Sequence, residues 1–290
     1  SDTPQNGVDQ EVTSQKGLAD KKATEGGTTG TGSTTAPTAS TSDGGVSVAA
    51  AISVNISHSD AKAFIPSNGI VTAGGVLTLS ASNNTDAAAK ADGSAVEGGA
   101  NTKAGIGAAV ALNVSNMNNQ AFIGSNATVQ AGGLKIEALM ENVSGDRSHA
   151  VRADAISGAA SAKVGVAGAL ALNVLVNQTQ AYIASGANVL VNGGDISLSA
   201  GNTQVTTAKA TSKASGGKVG VGASVAINAL LYNNTRAEVE DTAILRGTGH
   251  DLSLSAVSSH TVNTGVEAGS AGGIAVAPAV AVAIVNNMTT

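Results

Sequence analysis

The chain contains no cysteine and no tryptophan, and only 1% of its 290 residues are aromatic. Without cysteine there is no disulfide framework, which fits either a reducing cytosol or a secreted bacterial chain that avoids disulfides altogether. Without aromatic and Leu/Ile bulk there is no filling for a deep globular core. The apolar 42% is mostly Ala and Val, so any core is thin and built from small side chains. Such cores suit solenoids, in which each coil buries its side chains only against its neighbours. Charge is scarce as well, at 12% of residues with a net charge of −5. That balance provides no basic stripe, so nucleic acid is excluded as a partner.

Long hydrophobic runs are also missing. The two longest, Ala271 to Val285 and Val219 to Leu231, fall short of the roughly 18 to 20 residues a spanning helix needs. Both alternate large with small residues, which is a strand pattern. The opening "SDTPQNGVDQ" is polar, lacks the apolar stretch of a signal peptide and has no initiator Met, so the chain reads as a piece of a longer protein.

Residues 1–44 are rich in Gly, Ser and Thr, as in "KKATEGGTTGTGSTTAPTASTSDGG". Burial there does not offset ordering entropy, and a flexible linker is expected. From Gly45 onward three marks recur in constant order. An alternating run ends in Asn at Asn55, Asn113, Asn173 and Asn228, and in Ala283 at a fifth copy, with spacings of 58, 60, 55 and 55. About nine residues later come "AFI" at Phe64, "AFI" at Phe122, "AYI" at Tyr182 and "AEV" at Glu238. The third mark is a glycine turn and strand: Gly74-Gly75, Gly132-Gly133, Gly193-Gly194, and "GHDLSLSA" from Gly249.

Apolar–polar alternation points to strands and the Gly-Gly punctuation to tight turns. The expected fold is all-β, a right-handed parallel β-helix spanning 45–290. Its units run near 45–103, 104–163, 164–218 and 219–271, with a partial unit at 272–290. A unit of about 57 residues is long for one narrow coil, so two or three coils per unit are expected. The recurrent aromatics then share one corner, and the recurrent Asn share a position from which they satisfy turn backbone. Asp86 to Ala91 carries some helix propensity, undercut by its Gly neighbours.

Reactive chemistry is sparse. The four histidines, His58, His149, His250 and His260, match no metal spacing and read as exposed loop residues. Acids are scattered, among them Glu97; "EVED" makes Glu238, Glu240 and Asp241 the one local cluster. That cluster is either a calcium site or a solvated acidic loop. No other cofactor is indicated. There is no "GxSxG", no Walker order and no "GGxGxD" calcium repeat, so no enzyme is expected. Lys103, Lys163 and Lys218 each precede the first strand of a unit and form a surface row of amines. Sequons occur at Asn55, Asn83, Asn113, Asn126, Asn142, Asn177, Asn233 and Asn287, little above chance at this composition.

The stretches "VGVGASVAINALLYNNTRAEVED" and "VGVAGALALNVLVNQTQAYIASGANVLVNGGDISLSA" resemble the repeats of giant bacterial exoproteins. These are the leukotoxin-type filamentous adhesins and the hemagglutinin-like proteins of two-partner secretion and autotransporter systems. The resemblance covers residues 45 to 290 and departs from the pattern at Glu238 and Ala283. It implies a secreted or cell-surface location and a role in adhesion, biofilm or filament formation. The implied partner is a host or neighbouring cell surface, with a matrix or glycan receptor. Open ends of the stack imply end-to-end self-association. Two alternatives stand beside this reading: a β-helix that binds or degrades polysaccharide, and a membrane-damaging toxin segment.

Overall fold

The computed structural model describes residues 45–95, 102–248 and 251–290. The expected linker at 1–44, Glu97, His250 and the fourth turn copy at Gly249 lie outside them. Among the described residues every regular element is a strand. The first coil holds β1 (Val46–Ile65), β2 (Ile70–Thr72), β3 (Val76–Asn83) and β4 (Ala87–Ser94). The second holds β5 (Ala104–Ile123), β6 (Thr128–Ala131), β7 (Gly133–Met140) and β8 (His149–Ser161). The third is β9 (Val164–Ile183), β10 (Asn188–Val191) and β11 (Ile196–Gly216). The fourth is β12 (Val219–Val239), β13 (Ile244–Gly247) and β14 (Leu252–Ala271), and a fifth begins with β15 (Ile274–Val276) and β16 (Ala279–Thr289).

Like strands stack on like in three parallel sheets, so the fold is a parallel β-helix. The front sheet runs β1-β5-β9-β12 and ends on β15 and β16; the short sheet is β2-β6-β10-β13. The back sheet stacks β3 and β4 on β7 and β8, then β11, then β14. Asn55 lies opposite Asn113, Asn113 opposite Asn173, and Asn173 opposite Asn228. One repeat is therefore one coil, not two or three, and no coil of another phase lies between equivalent residues.

The expectation failed on strand length. It placed a break after each Asn, but β1, β5 and β9 are each 20 residues long and carry the Asn mid-strand. At roughly 3.3 Å per residue such a strand is about 65 Å long. No breaker interrupts it, and alternation continues through "AFI". The coil is thus wide and flat, with two long sheets face to face and the short sheet closing one end. The longest spacing, 60, contains the loop between β7 and β8.

Inward residues grade along the strand. Near the short sheet, Ile123, Ile183, Val129, Val189, Leu134 and Leu198 fill a wide aliphatic zone. Met117, Leu175, Leu230 and Val151 form a narrower band. Then the interior becomes purely alanine over Ala109, Ala111, Ala153, Ala155, Ala169 and Ala171. At the far end even a methyl does not fit: a Cβ on Gly165 would sit 2.3 Å from the Ser215 carbonyl oxygen. One on Gly220 would sit 2.2 Å from that of Ala271. The two long sheets converge until their backbones touch, which the thin, small-residue core anticipated. Ala87–Ser94 is strand β4 rather than helix, because Ala89 and Ala91 are buried in the alanine zone and tertiary packing overrides local propensity.

The turns fall at the corners. Gly74-Gly75, Gly132-Gly133 and Gly193-Gly194 link the short sheet to the back sheet. A Cβ on Gly194 would lie 2.3 Å from the Gly132 oxygen of the coil below, and Gly193 has a φ of +90°. Stacked corners this tight select glycine.

Candidate functional site

Three arrangements carry what chemistry the fold presents. The first is the asparagine ladder. Asn113 Nδ2 donates to Asn173 Oδ1 at 2.9 Å, and Asn173 Nδ2 donates to Asn228 Oδ1 at 2.8 Å. Each also donates across the interior to a back-sheet carbonyl: Asn113 to Arg152, Asn173 to Thr207 at 2.8 Å and Asn228 to Asn263 at 2.8 Å. All three are fully buried. They brace the two sheets mid-strand and do not serve turn backbone, which corrects the expected role. Asn55 shares the register but is only half-buried at the first coil.

A second polar brace was missed. Asn177 Nδ2 donates to Asn202 Oδ1 at 3.0 Å, and Asn202 Nδ2 donates to Asn233 Oδ1 at 3.1 Å. The chain thus zigzags between the sheets. The available signal was the recurrence of Asn177 and Asn233 four or five residues after the ladder Asn, at positions read as sequons. Asn113, Asn177 and Asn233 are buried, so those three sequons are closed to modification in the folded coil, whereas Asn126, Asn142 and Asn287 are exposed.

The second arrangement is the aromatic corner. Phe64 stacks on Phe122 with centroids 5.2 Å apart, and Phe122 on Tyr182 at 4.9 Å. Register puts Glu238 next in the row. The Arg236 guanidinium covers the Tyr182 ring at 4.2 Å and bonds Glu238 Oε2 and Glu240 Oε1, both at 2.9 Å. Glu240 Oε2 accepts from the Ser185 N–H at 3.1 Å. The two glutamates thus face a guanidinium and not an oxygen cage, and Asp241 lies beyond them in an exposed turn. Glu238 and Glu240 form an ion pair with Arg236 that closes the aromatic row, which replaces the calcium reading for these two, while Asp241 stays in a solvated turn as the other reading had it. The described residues contain no group of three or more His, Cys, Asp or Glu suited to a metal. Burial raises the Tyr182 hydroxyl pKa.

The histidines differ from one another. His58 is exposed and bonds Asp60 at 2.8 Å. The Asp60 carboxyl is held below the usual range by the Asn118 amide and then by His58. His260 sits 2.6 Å from Asn233 Nδ2, and burial lowers its pKa. His149 is buried at the start of β8, where its Nδ1 accepts the Thr85 N–H at 2.9 Å. Desolvation pushes its pKa down to about 4, so it is a neutral structural residue and not an exposed one. Lys103, Lys163 and Lys218 are exposed in the turn into the front sheet. Their carbonyls accept from Val164, Val219 and Ile274 in successive coils at 3.1, 2.9 and 2.9 Å, which stacks them in a row as expected.

The third arrangement is the pair of outer faces. On the back sheet, Lys90 pairs in register with Asp154 and Asp154 with Lys209. Lys135 bonds Glu137 at 2.8 Å, and Lys213 bonds Glu267 at 3.2 Å. That face is polar. The outer front face is the reverse. Ile52, Val110, Leu170, Val225 and Val280 form one row across the sheet. Val54, Leu112, Leu172, Ile227 and Val282 form the next. Large apolar side chains point outward here while alanine and glycine point inward. A shallow depression is lined by Gly158, Ala159, Lys213, Ala214 and Ser215. Its one amine, Lys213, is paired with Glu267 on the polar face.

No protein-family model, curated protein or solved structure matches the chain.

Proposed function

We propose that the chain is a structural segment of a large extracellular bacterial surface or filamentous protein, spacing or presenting an adhesive tip toward a cell or matrix surface. The observation that carries this reading is the identity of repeat and coil: each unit adds one layer in register with the last. A stack of this kind lengthens by simple repetition. Buried Asn braces replace reactive groups, and a front sheet that adds one like strand per coil extends by further layers of the same kind. The aromatic row favours a structural role over a glycan platform, because Phe122 and Tyr182 spend their faces on each other and on Arg236.

The test has two arms. Excision of residues 104–163 removes one whole coil; the product is expected to retain a β spectrum and a cooperative melt, with the stack shortened by about 4.8 Å. Antibody labelling of intact source cells is expected to find the chain at the surface. A misfolded excision product would overturn the spacer role, and labelling seen only after lysis would overturn the location.

A further inference from the structure

The outer face of the front sheet is apolar from the Val46 row to the Ile56 row. It carries no charged side chain in β1, β5, β9, β12 or the fifth-coil strands over that span. Five strands at about 4.8 Å and some ten residues at about 3.3 Å give a flat patch on the order of 800 Å². Monomeric soluble proteins seldom leave more than a few hundred Å² of contiguous apolar surface open. End effects do not account for it: Ile106, Val114 and Val166, on interior strands, remain 41%, 37% and 36% exposed.

Further coils do not cover this face, because coils add along the stack and the face runs parallel to it. Residues 1–44 contain only Val8, Val12 and Leu18 of this kind, too few apolar side chains to cover a patch of that size. What matches the patch in size and chemistry is the same patch on another molecule. About 800 Å² per partner is the burial of a standard stable protein interface. Flat sheets pack face to face at about 10 Å with interdigitating side chains. The face is uncharged, so two copies meet without repulsion, and an isologous contact closes after two molecules.

We infer that the chain forms a face-to-face dimer through the outer Val/Ile/Leu rows of its front sheet, leaving the two polar back sheets outward. This contact is lateral and independent of end-to-end stacking; it stands or falls separately from the spacer reading, since a monomeric coil stack would still be a spacer.

The test is sedimentation velocity of the full 290-residue chain and of a Val110→Thr/Leu170→Thr/Val225→Thr variant. Threonine keeps strand preference on an exposed face. Circular dichroism confirms that the fold is retained, and Leu170→Thr alone is the fallback should the triple variant misfold. The native chain is expected to be a dimer at micromolar concentration. The triple variant should be monomeric, and Leu170→Thr alone should weaken the dimer by about tenfold or more. A native monomer overturns the inference. So does a dimer unaffected by these variants, which would place association at the sheet edges. Flotation of a monomeric native chain with phosphatidylglycerol vesicles, lost in the variants, would also overturn it by assigning the face to lipid.

Discussion

Asn113 donates through Nδ2 to Oδ1 of Asn173 at 2.9 Å, although the two are 60 residues apart. The bond joins successive coils at the same depth inside the stack, and Asn173 passes the pattern on to Asn228. A side chain that serves both as acceptor from below and as donor upward and across is worth more than its single bonds. Its loss leaves buried partners on three sides unsatisfied.

Asn173→Ala is therefore expected to lower stability by about 3 kcal/mol, from stranding buried donors and acceptors. Asn55→Ala, at the half-buried end of the row, should cost about 1 kcal/mol or less. Chemical denaturation of both variants checks the contrast, and equal losses would contradict a ladder that strengthens toward the interior.

His149 makes stability depend on pH. Its folded pKa of about 4 lies below the ordinary histidine value of 6.5, so the unfolded chain binds the extra proton first. The contribution is complete above pH 6.5 and is lost as pH falls toward 4, amounting to about 3 kcal/mol at the acid end. His149→Gln should flatten the stability–pH curve over that window, so that the native-minus-variant difference falls as the pH drops from 6.5 toward 4. A difference that does not change with pH would mean that His149 is hydrated when folded.

The convergence of the long sheets predicts opposite responses to one added methyl. Gly165→Ala places a Cβ against the Ser215 carbonyl and should destabilise by about 1–3 kcal/mol. Gly168→Ala, three residues on with open space around its outward position, should be neutral or slightly stabilising. Thermal melts of the two variants decide it.

Arg236 closes the aromatic row and pairs with both Glu238 and Glu240. Arg236→Ala is expected to cost about 1–2 kcal/mol, and Arg236→Lys should restore only part of it, because the planar guanidinium both stacks and forks. Calcium and chelator should leave the native melting temperature unchanged. A calcium-dependent rise in the native chain would restore the metal reading of Glu238, Glu240 and Asp241.

Much of the architecture was legible in order and period. Alternation in "VGVAGALALNV" marks a strand whether the strand is short or long, and paired glycines mark corners wherever backbones stack. The coil count was not legible, because a 20-residue strand has no local signal distinct from two shorter ones joined end to end. His149 gave no sign of burial, since its environment comes from Thr85 and the back sheet of two different coils. The partnership of Arg236 with Tyr182 also joins residues from successive layers, and "NNTRAEVED" by itself reads only as an acidic cluster.

What the sequence determined alone was the repeat, the strand periodicity and the thinness of the core, since Ala and Gly leave no volume for a thick one. What the tertiary structure decided was which apolar stripe faces in. Val and Ala are both apolar, so hydrophobic alternation between them has no sign. Only the closing distance between the two sheets, where a glycine Cβ would strike the opposite backbone, sends alanine and glycine inward. That same distance gathers valine, isoleucine and leucine on the outer face.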